Sequence, residues 1–274
     1  MLAGWGVFAG VVFASIGAAG GILTSFALIS LAGVADPNAV KPMTQIIVLA
    51  TALVFVPSYF KRSTLVWPLG VLLGLGGIAG AWAGSTLSSA YLTDMSTFRP
   101  LFGVLTLLVA ARIAWDLLRT PAPPTALEGD FIDKGVSGLS FKSAVLRFTY
   151  AREDYVIAAW IPILAGFIIA FIAAIFGVGG GFLLVPFLAS LLKMPMHIIP
   201  ATAAISIIMS LMVSIGNYLR LGAKLEYDIL GAMLIGTIIG ALLGAFVNRN
   251  LKDQWLQMAL GAIVLLIGLK YILG

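Results

Sequence analysis

Cysteine, histidine and charged side chains are scarce in this chain of 274 residues. Cysteine is absent, which excludes disulfide bonds and thiolate metal sites. Charged residues make up 10% of the chain, whereas roughly 25% is usual in soluble proteins. Because 61% of the residues are hydrophobic, the folded chain cannot present a surface that suits water. The composition therefore predicts a polytopic membrane protein.

The scarcity of titratable side chains also limits the chemistry that this chain can perform. No acidic residue falls in the middle of an apolar segment, and the one histidine, His197, stands between prolines in a predicted turn. We interpret His197 as a structural loop residue, with a pH-sensing gate as the alternative. An intramembrane enzyme needs a nucleophile with a base, or a metal cluster, so we expect no enzyme and no cofactor. The net charge of +5 is ascribed to Lys and Arg in cytoplasmic loops, and nucleic acid is not expected as a partner.

Long apolar segments dominate the chain, and they form two sets of four. They run near 4–33, 43–60, 65–90, 98–119, 157–192, 198–219, 228–248 and 254–273. Most match the roughly 20 residues that a helix needs to cross a bilayer. They predict an all-α polytopic membrane protein of two homologous four-segment halves. The first transmembrane repeat is expected at 1–119, a cytoplasmic linker or flap at 120–155, and the second transmembrane repeat at 156–274.

The first segment of each set is too long for one crossing and carries a glycine cluster near its middle. Gly20-Gly21 lies in one, and Gly179-Gly180-Gly181 lies in the other. A helix broken inside the membrane is tolerated only where its freed N–H groups face protein, a cavity or a ligand. Paired breaks at equivalent positions of two halves point to the binding site of a transporter. We therefore expect a glycine-broken first segment in each half, with the site at the breaks.

Other landmarks recur in the same order at offsets of 158 to 160 residues, which indicates internal duplication. Small residues at every fourth position let helices approach closely, so the glycine ladders predict helix packing within a protomer or across a homodimer. The matched landmarks are Pro42 and Pro200, Gly76-Gly80-Gly84 and Gly236-Gly240-Gly244, Gly103 and Gly261, and Arg112 and Lys270.

The relative orientation of the halves depends on the two long segments. If each is a re-entrant hairpin, a half crosses three times and the second half is inverted; if each crosses once, the halves are parallel. Counting basic residues on each side does not separate these arrangements. The uncharged run from Val156 to Leu192 has 37 residues and would reach roughly 55 Å as one helix. We therefore favour inverted repeats, with the linker as a surface flap in the cytoplasm or as a gating element.

The second half resembles a known family of membrane permeases. The stretch from Gly177 to Pro186 reads Gly-Val-Gly-Gly-Gly-Phe-Leu-Leu-Val-Pro and is similar to the G-x-G-G-G-x-x-x-x-P signature of the TauE/SafE sulfite exporter family. Pro200-Ala201-Thr202 and Asn217-Tyr218-Leu219-Arg220 follow in the family's order. The resemblance covers 165–273 closely and 8–119 more loosely. It implies transport of a small sulfur-containing anion, sulfite or an organosulfonate, across the cytoplasmic (inner) membrane of a prokaryote.

Physical chemistry agrees in outline with an anion site at the breaks. The N-terminus of a helix presents free N–H groups and the positive end of a dipole, and glycine lets an oxyanion approach the backbone itself. Nearby polar side chains complete the predicted shell, although any Ser or Thr can instead bond its own helix backbone. The candidate substrate-binding residues are Gly20, Gly21, Thr24, Ser25, Lys41, Thr44 and Gln45 from the first half, and Gly179, Gly180, Gly181, Thr202, Ser206 and Asn217 from the second.

These observations together predict a secondary transporter that holds its anion near the middle of the membrane. Its expected partners are the small anionic substrate, the lipid bilayer and, through the glycine ladders, a second copy in a homodimer. A transporter of another small anion, such as a carboxylate, is the alternative within this class. A membrane assembly scaffold that transports nothing is the alternative outside it.

Overall fold

The structure is a computed structural model, and it is helical apart from one small sheet. It describes residues 1–16, 20–60, 65–118, 136–150, 153–194, 198–247 and 253–273. The helices of the first half are α1 (Leu2–Ile16), α2 (Gly20–Phe26), α3 (Pro37–Phe60), α4 (Trp67–Tyr91) and α5 (Met95–Leu118). The strands are β1 (Ser137–Lys142), β2 (Val145–Tyr150) and β3 (Glu153–Ala158). The remaining helices are α6 (Trp160–Phe176), α7 (Gly181–Pro186), α8 (Ile199–Arg220), α9 (Tyr227–Val247) and α10 (Asp253–Leu273).

Four helices of the described part are long and apolar enough to cross a membrane: α4, α5 as far as Trp115, α8 from Ala201, and α9 as far as Gly244. Proline stands in the first turn of α4 and of α8, where its missing N–H leaves no hydrogen bond unmade. Helices α1 and α6 are among the shorter apolar helices of the described part. The chain is a multi-pass membrane protein.

Each of the two longest apolar segments contains two helices. The first helix pair consists of α1 and α2, and α2 continues into wider π turns over Ala27–Leu31. The second helix pair consists of α6 and α7, and α7 likewise continues into π turns over Phe187–Leu191. In the second segment a turn separates the two helices, whereas residues 17–19, between the helices of the first, lie outside the described residues.

A three-stranded antiparallel sheet, in the order β1-β2-β3, follows the first half. Buried Leu146, Phe148 and Tyr150 alternate along β2 with more exposed residues such as Arg147, which is the period of a strand with one buried face. The buried face packs against the start of α4, including Val66, and against the residues that follow α7. The all-α prediction is thus wrong for the linker, because this alternation suits a strand better than a helix.

The sheet does not coincide with the predicted linker at 120–155. Residues 119–135 and 151–152 lie outside the described residues, as does His197. The last strand, β3, runs to Ala158 and so extends past the predicted start of the second repeat. Only one residue then separates β3 from α6, so the sheet is joined to the second helix pair almost without a loop.

The second helix pair begins and ends beside this sheet. Tyr155 in β3 donates its hydroxyl to the carbonyl oxygen of Lys193 at 3.5 Å, and burial raises the pKa of Tyr155, so the hydroxyl is protonated at neutral pH. Leu188 and Met194 belong to the same apolar cluster as the sheet. The chain therefore enters and leaves the second helix pair on one side of the molecule.

The first helix pair also begins and ends at one place, next to the end of α10. Trp5 near the start of α1 donates its indole N–H to the carbonyl of Leu23 at 2.9 Å, and its ring lies 5.5 Å from that of Phe26. Ser30 in the π turns hydrogen-bonds the Tyr271 hydroxyl at 2.8 Å. Both ends of this pair therefore meet the second half of the chain.

The glycine ladders are the surfaces through which the two halves pack on each other. Each of these glycines faces a backbone carbonyl or side chain of the opposite half, and a methyl group at most of these positions would overlap a carbonyl oxygen. Helix α6 lies along α4, and helix α1 lies along α9. The contacts are Gly76 with Ile163, Gly80 with Phe167, Gly84 with Phe171, Gly236 with Ala3, Gly240 with Val7 and Gly244 with Val11.

Candidate functional site

The chain reverses direction between α6 and α7 through a run of glycines. Helix α6 ends at Phe176, and α7 begins at Gly181. Between them, Gly179 has φ +83° and Gly180 has φ +62°. These are left-handed conformations that side chains with a Cβ disfavour, so the local sequence permits a turn that few other residues would form.

Backbone hydrogen bonds hold part of this turn and leave part of it free. Gly181 donates its N–H to the carbonyl of Gly179 at 2.6 Å, and Val178 donates to Ala173 at 3.1 Å. The Gly181 N–H, which the sequence placed in the anion site, is therefore engaged within the turn. The N–H groups of Gly179 and Gly180 have no hydrogen-bond acceptor among the residues that the structure describes.

The start of α2 meets this turn in the middle of the protein. A Cβ on Gly21 would overlap the carbonyl of Val178, and a Cβ on Gly177 would lie 2.6 Å from the Cα of Lys41 in α3. Gly20 faces the ring of Phe13 in the same close manner. Here Gly20 and Gly21 serve close packing, which brings the two glycine clusters against each other.

A small cavity lies beside the turn and is lined by residues of α3, α4, α6, α7 and α8. Its free volume is about 20 Å³, which corresponds to little more than one water molecule. None of the described residues that line it is charged. Its polar lining consists of Gly179 and Gly180 in the turn, Gln45 in α3, and Ser206, Ser210 and Ser214 in α8.

Two polar atoms in this lining are buried without a hydrogen bond in the described protein. They are the Gln45 carboxamide oxygen and the Ser214 hydroxyl oxygen, and each side chain is only 1% exposed. A buried polar group without a partner costs about 1–3 kcal/mol, so native proteins rarely retain one without a use. Both atoms are therefore free to form a hydrogen bond with a group in the cavity.

A row of serines extends the polar wall along α8. Ser206, Ser210 and Ser214 stand four residues apart, which places them on one face of the helix. Ser210 donates to the carbonyl of Ser206 at 2.8 Å. The sequence prediction included Ser206 and missed the other two, although the spacing of four was visible in the sequence.

Asn217 lies one turn beyond the cavity, and its contacts are with α4 and α8 and not with the cavity. Its amide nitrogen donates to the hydroxyls of Ser85 at 2.7 Å and Thr86 at 2.9 Å in α4. Arg220 donates to its carboxamide oxygen at 3.1 Å. With its hydrogen-bonding groups thus engaged, Asn217 ties α8 to α4 and does not line the cavity.

The predicted hydroxyl ligands on either side are also engaged within the protein. Thr202 donates to the carbonyl of Ile198 at 2.8 Å and accepts the N–H of Val66 at 3.2 Å. Ser25 and Thr44 hydrogen-bond each other at 3.0 Å, which joins α2 to α3. Thr24 is buried in α2 and, like these three, does not line the cavity.

Lys41 is fully buried at the start of α3, where it binds the end of α4. Its ammonium group donates to the carbonyl oxygens of Leu92 at 2.8 Å and Ser88 at 3.3 Å, and to Asn38 at 3.1 Å. It also lies 5.2 Å from the centre of the Phe98 ring. A cation is favourable at the C-terminal end of a helix, so Lys41 stabilises this junction and its head lies outside the cavity lining.

The structure thus brings four of the thirteen predicted residues to one cavity: Gln45, Gly179, Gly180 and Ser206. The arrangement can donate hydrogen bonds from two glycine N–H groups and from serine hydroxyls, and it can both donate and accept through one carboxamide. Within the described residues, no group of three or more His, Cys, Asp or Glu side chains could hold a metal ion. Hydrogen bonding by neutral groups is the chemistry that this site offers.

Comparison with known proteins gives the same class as these features. The sequence profile described as Sulfite exporter TauE/SafE matches residues 2–271. A relative from Bacillus subtilis (strain 168), described as "Probable membrane transporter protein YunE", is 25% identical over 273 residues, which cover 97% of this chain and 94% of the relative. No solved structure matches this chain. The resemblance inferred from the glycine signature is confirmed, and this membrane transporter belongs to the TauE/SafE sulfite exporter family.

Proposed function

We propose that the protein is a secondary transporter that moves a small sulfur-containing anion, sulfite or an organosulfonate, across the cytoplasmic membrane of a prokaryote. The observation that carries the proposal is the small polar-lined cavity at the turn between α6 and α7. Unpartnered atoms of Gln45 and Ser214 line it, and so do Gly179 and Gly180, whose N–H groups lack acceptors in the described protein. The family supplies the expected class of substrate.

Binding at this cavity would replace the hydration shell of an oxyanion with fixed protein dipoles. The glycine N–H groups and serine hydroxyls would donate to its oxygens. The absence of a Cβ at Gly179 and Gly180 lets the anion reach the backbone. Because the free volume of about 20 Å³ is too small for an oxyanion, the helices around it must separate for substrate to enter and leave.

Internal duplication with inverted repeats explains the contacts between the halves. Gly76 contacts Ile163, and Gly236 contacts Ala3. The second contact has the numbers of the first with 160 added to the glycine and 160 subtracted from its partner. The pair Gly80–Phe167 becomes Gly240–Val7 by the same operation. Such an exchange is expected if each helix pair is a re-entrant element that packs on the opposite repeat, and two such elements meeting at their glycines provide an alternating-access device.

The sheet belongs on the cytoplasmic side in this arrangement. The region 120–155 carries Lys134, Lys142, Arg147 and Arg152 among its acidic residues, and it is the Lys and Arg count, more than net charge, that places a loop in the cytoplasm. Because the second helix pair enters and leaves beside the sheet, its ends would face the cytoplasm, while the ends of the first helix pair would face the opposite side. The sheet would then form a rigid cover next to the cytoplasmic end of the pathway.

Flux of labelled sulfite into proteoliposomes tests the proposal. Gly180→Leu would fill the cavity and strain a left-handed turn, so it should abolish saturable flux. Gly216→Leu is the matched control, because the position in α8 has open space around it, and it should retain flux. Each variant must elute as a single species in size-exclusion chromatography for its flux to be compared.

The outcomes separate the alternatives. Saturable sulfite flux that Gly180→Leu loses and Gly216→Leu keeps would support the proposal. Flux of a small carboxylate without flux of sulfite or organosulfonates would establish the other anion class, since neutral donors also suit a carboxylate. A well-folded wild-type protein that moves none of these anions would contradict transport through this cavity and favour the scaffold.

A further inference from the structure

The charge of the cavity lining restricts the charge of its ligand. The side chains that face it from α3, α4, α6, α7 and α8 are all neutral. The cost of moving an ion from water into a site of low dielectric constant rises with the square of its charge, so a dianion costs about four times as much as a monoanion. Neutral donors offset part of that cost for one negative charge, and a second charge finds no further compensation in the lining.

Charged and titratable side chains on the surrounding helices are few. Among the side chains that the structure describes on these five helices, they are Lys41 in α3, Tyr91 in α4, and Tyr218 and Arg220 in α8; the side chain of Tyr59 in α3 lies outside the described ones. Arg220 is exposed and bonds Asn217. Lys41 alone is a buried cation, and its ammonium group lies 5.9 Å from the Tyr218 ring. The Tyr218 hydroxyl donates to the carbonyl of Ala174 at 2.8 Å, and Ala174 lines the cavity.

Lys41 lies outside the cavity lining, and the charged group that acts on it is Asp36. Asp36, which precedes α3, is exposed to solvent and lies at the surface. Lys41 therefore has an acid of its own and supplies no positive charge to the cavity. The charge inventory thus agrees with the cost of desolvation in favouring a monoanion.

The Gln45 carboxamide indicates whether the bound oxyanion carries a proton. A carboxamide offers one acceptor and two donors on neighbouring atoms. A fully ionised oxyanion has only acceptors and would leave the buried Gln45 oxygen unpaired. An oxyanion that carries one proton can accept from the Gln45 nitrogen and donate its O–H to the Gln45 oxygen. The proton of such a ligand would give that oxygen, which has no partner in the described protein, a hydrogen bond.

We propose, on the basis of the function proposed above, that the cavity takes singly charged oxyanions, sulfite among them in its protonated form, and excludes the dianion. Gln45 recognises the proton, and Ser214 donates to an unprotonated oxygen. Sulfite then carries its own proton through the membrane, and each turnover moves one negative charge together with one proton. A carboxylate relay in the protein is unnecessary for this coupling.

Initial rates of labelled sulfite uptake into proteoliposomes, measured across the pH range in which sulfite passes from monoanion to dianion, test this inference. The KM for total sulfite should rise about tenfold for each pH unit above the pKa of the monoanion, while the KM expressed in monoanion stays constant. Protein-free liposomes correct for sulfur dioxide that crosses the lipid unaided. Methanesulfonate, a fixed monoanion, should compete with a constant inhibition constant, and sulfate, a dianion, should compete poorly.

The variant Gln45→Met removes both hydrogen-bonding groups and keeps a side chain of similar length. It should raise the KM for sulfite several-fold more than the inhibition constant for methanesulfonate, because methanesulfonate has no O–H to recognise. Equal changes for the two ligands would overturn the role of Gln45 in recognising the proton. A purely structural role would instead lower thermal stability and change both constants alike.

The other outcomes are equally decisive. A sulfite KM that does not change with pH, or sulfate competing as well as methanesulfonate, would overturn selection of the monoanion and leave the proposed function intact. If the inhibition constant of methanesulfonate rises with pH in parallel with the sulfite KM, the pH dependence belongs to the protein. That result would also overturn selection of the monoanion. No saturable flux of sulfite at any pH would overturn the proposed function and this inference together.

Discussion

Buried polar side chains of this protein fall into two groups by their hydrogen bonds. Thr202, Asn217 and Lys41 each contact two or more partners in neighbouring structure. Gln45 and Ser214 are as deeply buried and have an atom without a partner. Removing a member of the first group should cost stability, because it leaves buried partners unpaired, whereas removing a member of the second should cost ligand affinity.

A pair of substitutions one turn apart on α8 tests this division. We expect Asn217→Ala to destabilise the protein by about 1–3 kcal/mol, because Ser85 and Thr86 lose a buried partner, and to leave the KM for sulfite unchanged. We expect Ser214→Ala to preserve stability. It should raise that KM roughly two- to tenfold, because the substrate loses one hydrogen bond. Thermal unfolding in detergent and uptake kinetics provide the measurements. The reverse pattern would move Asn217 into the binding site and Ser214 out of it.

At the scale of elements, the glycine ladders connect helices that are distant in sequence. Helices α1 and α6 would be marginal by themselves, since each is short and almost entirely apolar. They are held by close contact with α9 and α4, where glycine lets the backbones meet. Membrane helices gain little from the hydrophobic effect between one another, so such close packing is a main source of their association.

Equivalent glycines of the two ladders should respond equally to substitution. A methyl group at Gly80 would overlap the carbonyl of Phe167, and one at Gly240 would overlap the carbonyl of Val7. We expect Gly80→Ala and Gly240→Ala each to lower stability by about 1–3 kcal/mol, the usual cost of overpacking. Gly231→Ala in α9 should be neutral, because nothing lies within 4 Å of its added methyl group. If substitution lowers thermal stability at one ladder and not at the other, the two ladders do not have equivalent roles.

The whole molecule is organised by which side of the membrane each loop faces. In the inverted arrangement, Ser137 in the sheet and Lys193 after the second helix pair share the cytoplasmic side. Asp36 and Lys224 then share the opposite side. The parallel arrangement would separate Lys193 from the sheet, although Tyr155 in the sheet lies against the Lys193 carbonyl.

Because the chain has no cysteine, single-cysteine variants report topology without background. The four positions chosen are exposed: Asp36, Ser137, Lys193 and Lys224. We expect a membrane-impermeant maleimide added to intact spheroplasts to label Asp36→Cys and Lys224→Cys. Ser137→Cys and Lys193→Cys should be labelled only after the membrane is opened. Labelling of Lys193→Cys from outside, with Ser137→Cys protected, would instead indicate that the second long segment crosses the membrane once.

Much of the candidate site could be anticipated from local sequence, and the reasons for the misses are specific. The run Gly179-Gly180-Gly181 located the turn between α6 and α7, since few other residues adopt those backbone angles. The sheet was missed, although β2 alternates buried and exposed residues, because the surrounding composition suggested only helices. Thr202 and Asn217 were grouped with the ligands because a sequence does not reveal that Val66 and Ser85 lie beside them.

Composition, segment length and the glycine signature were sufficient to establish a multi-pass membrane transporter of this family, because bilayer thickness and backbone sterics act on local stretches of chain. The choice of the residues that face the cavity depended on tertiary packing. Gln45 and Ser214 lie 169 residues apart and come to one cavity only when α3 and α8 pack around the α6–α7 turn. A hydrogen bond is a property of two partners, so which polar groups were left free for a substrate was decided by the folded structure.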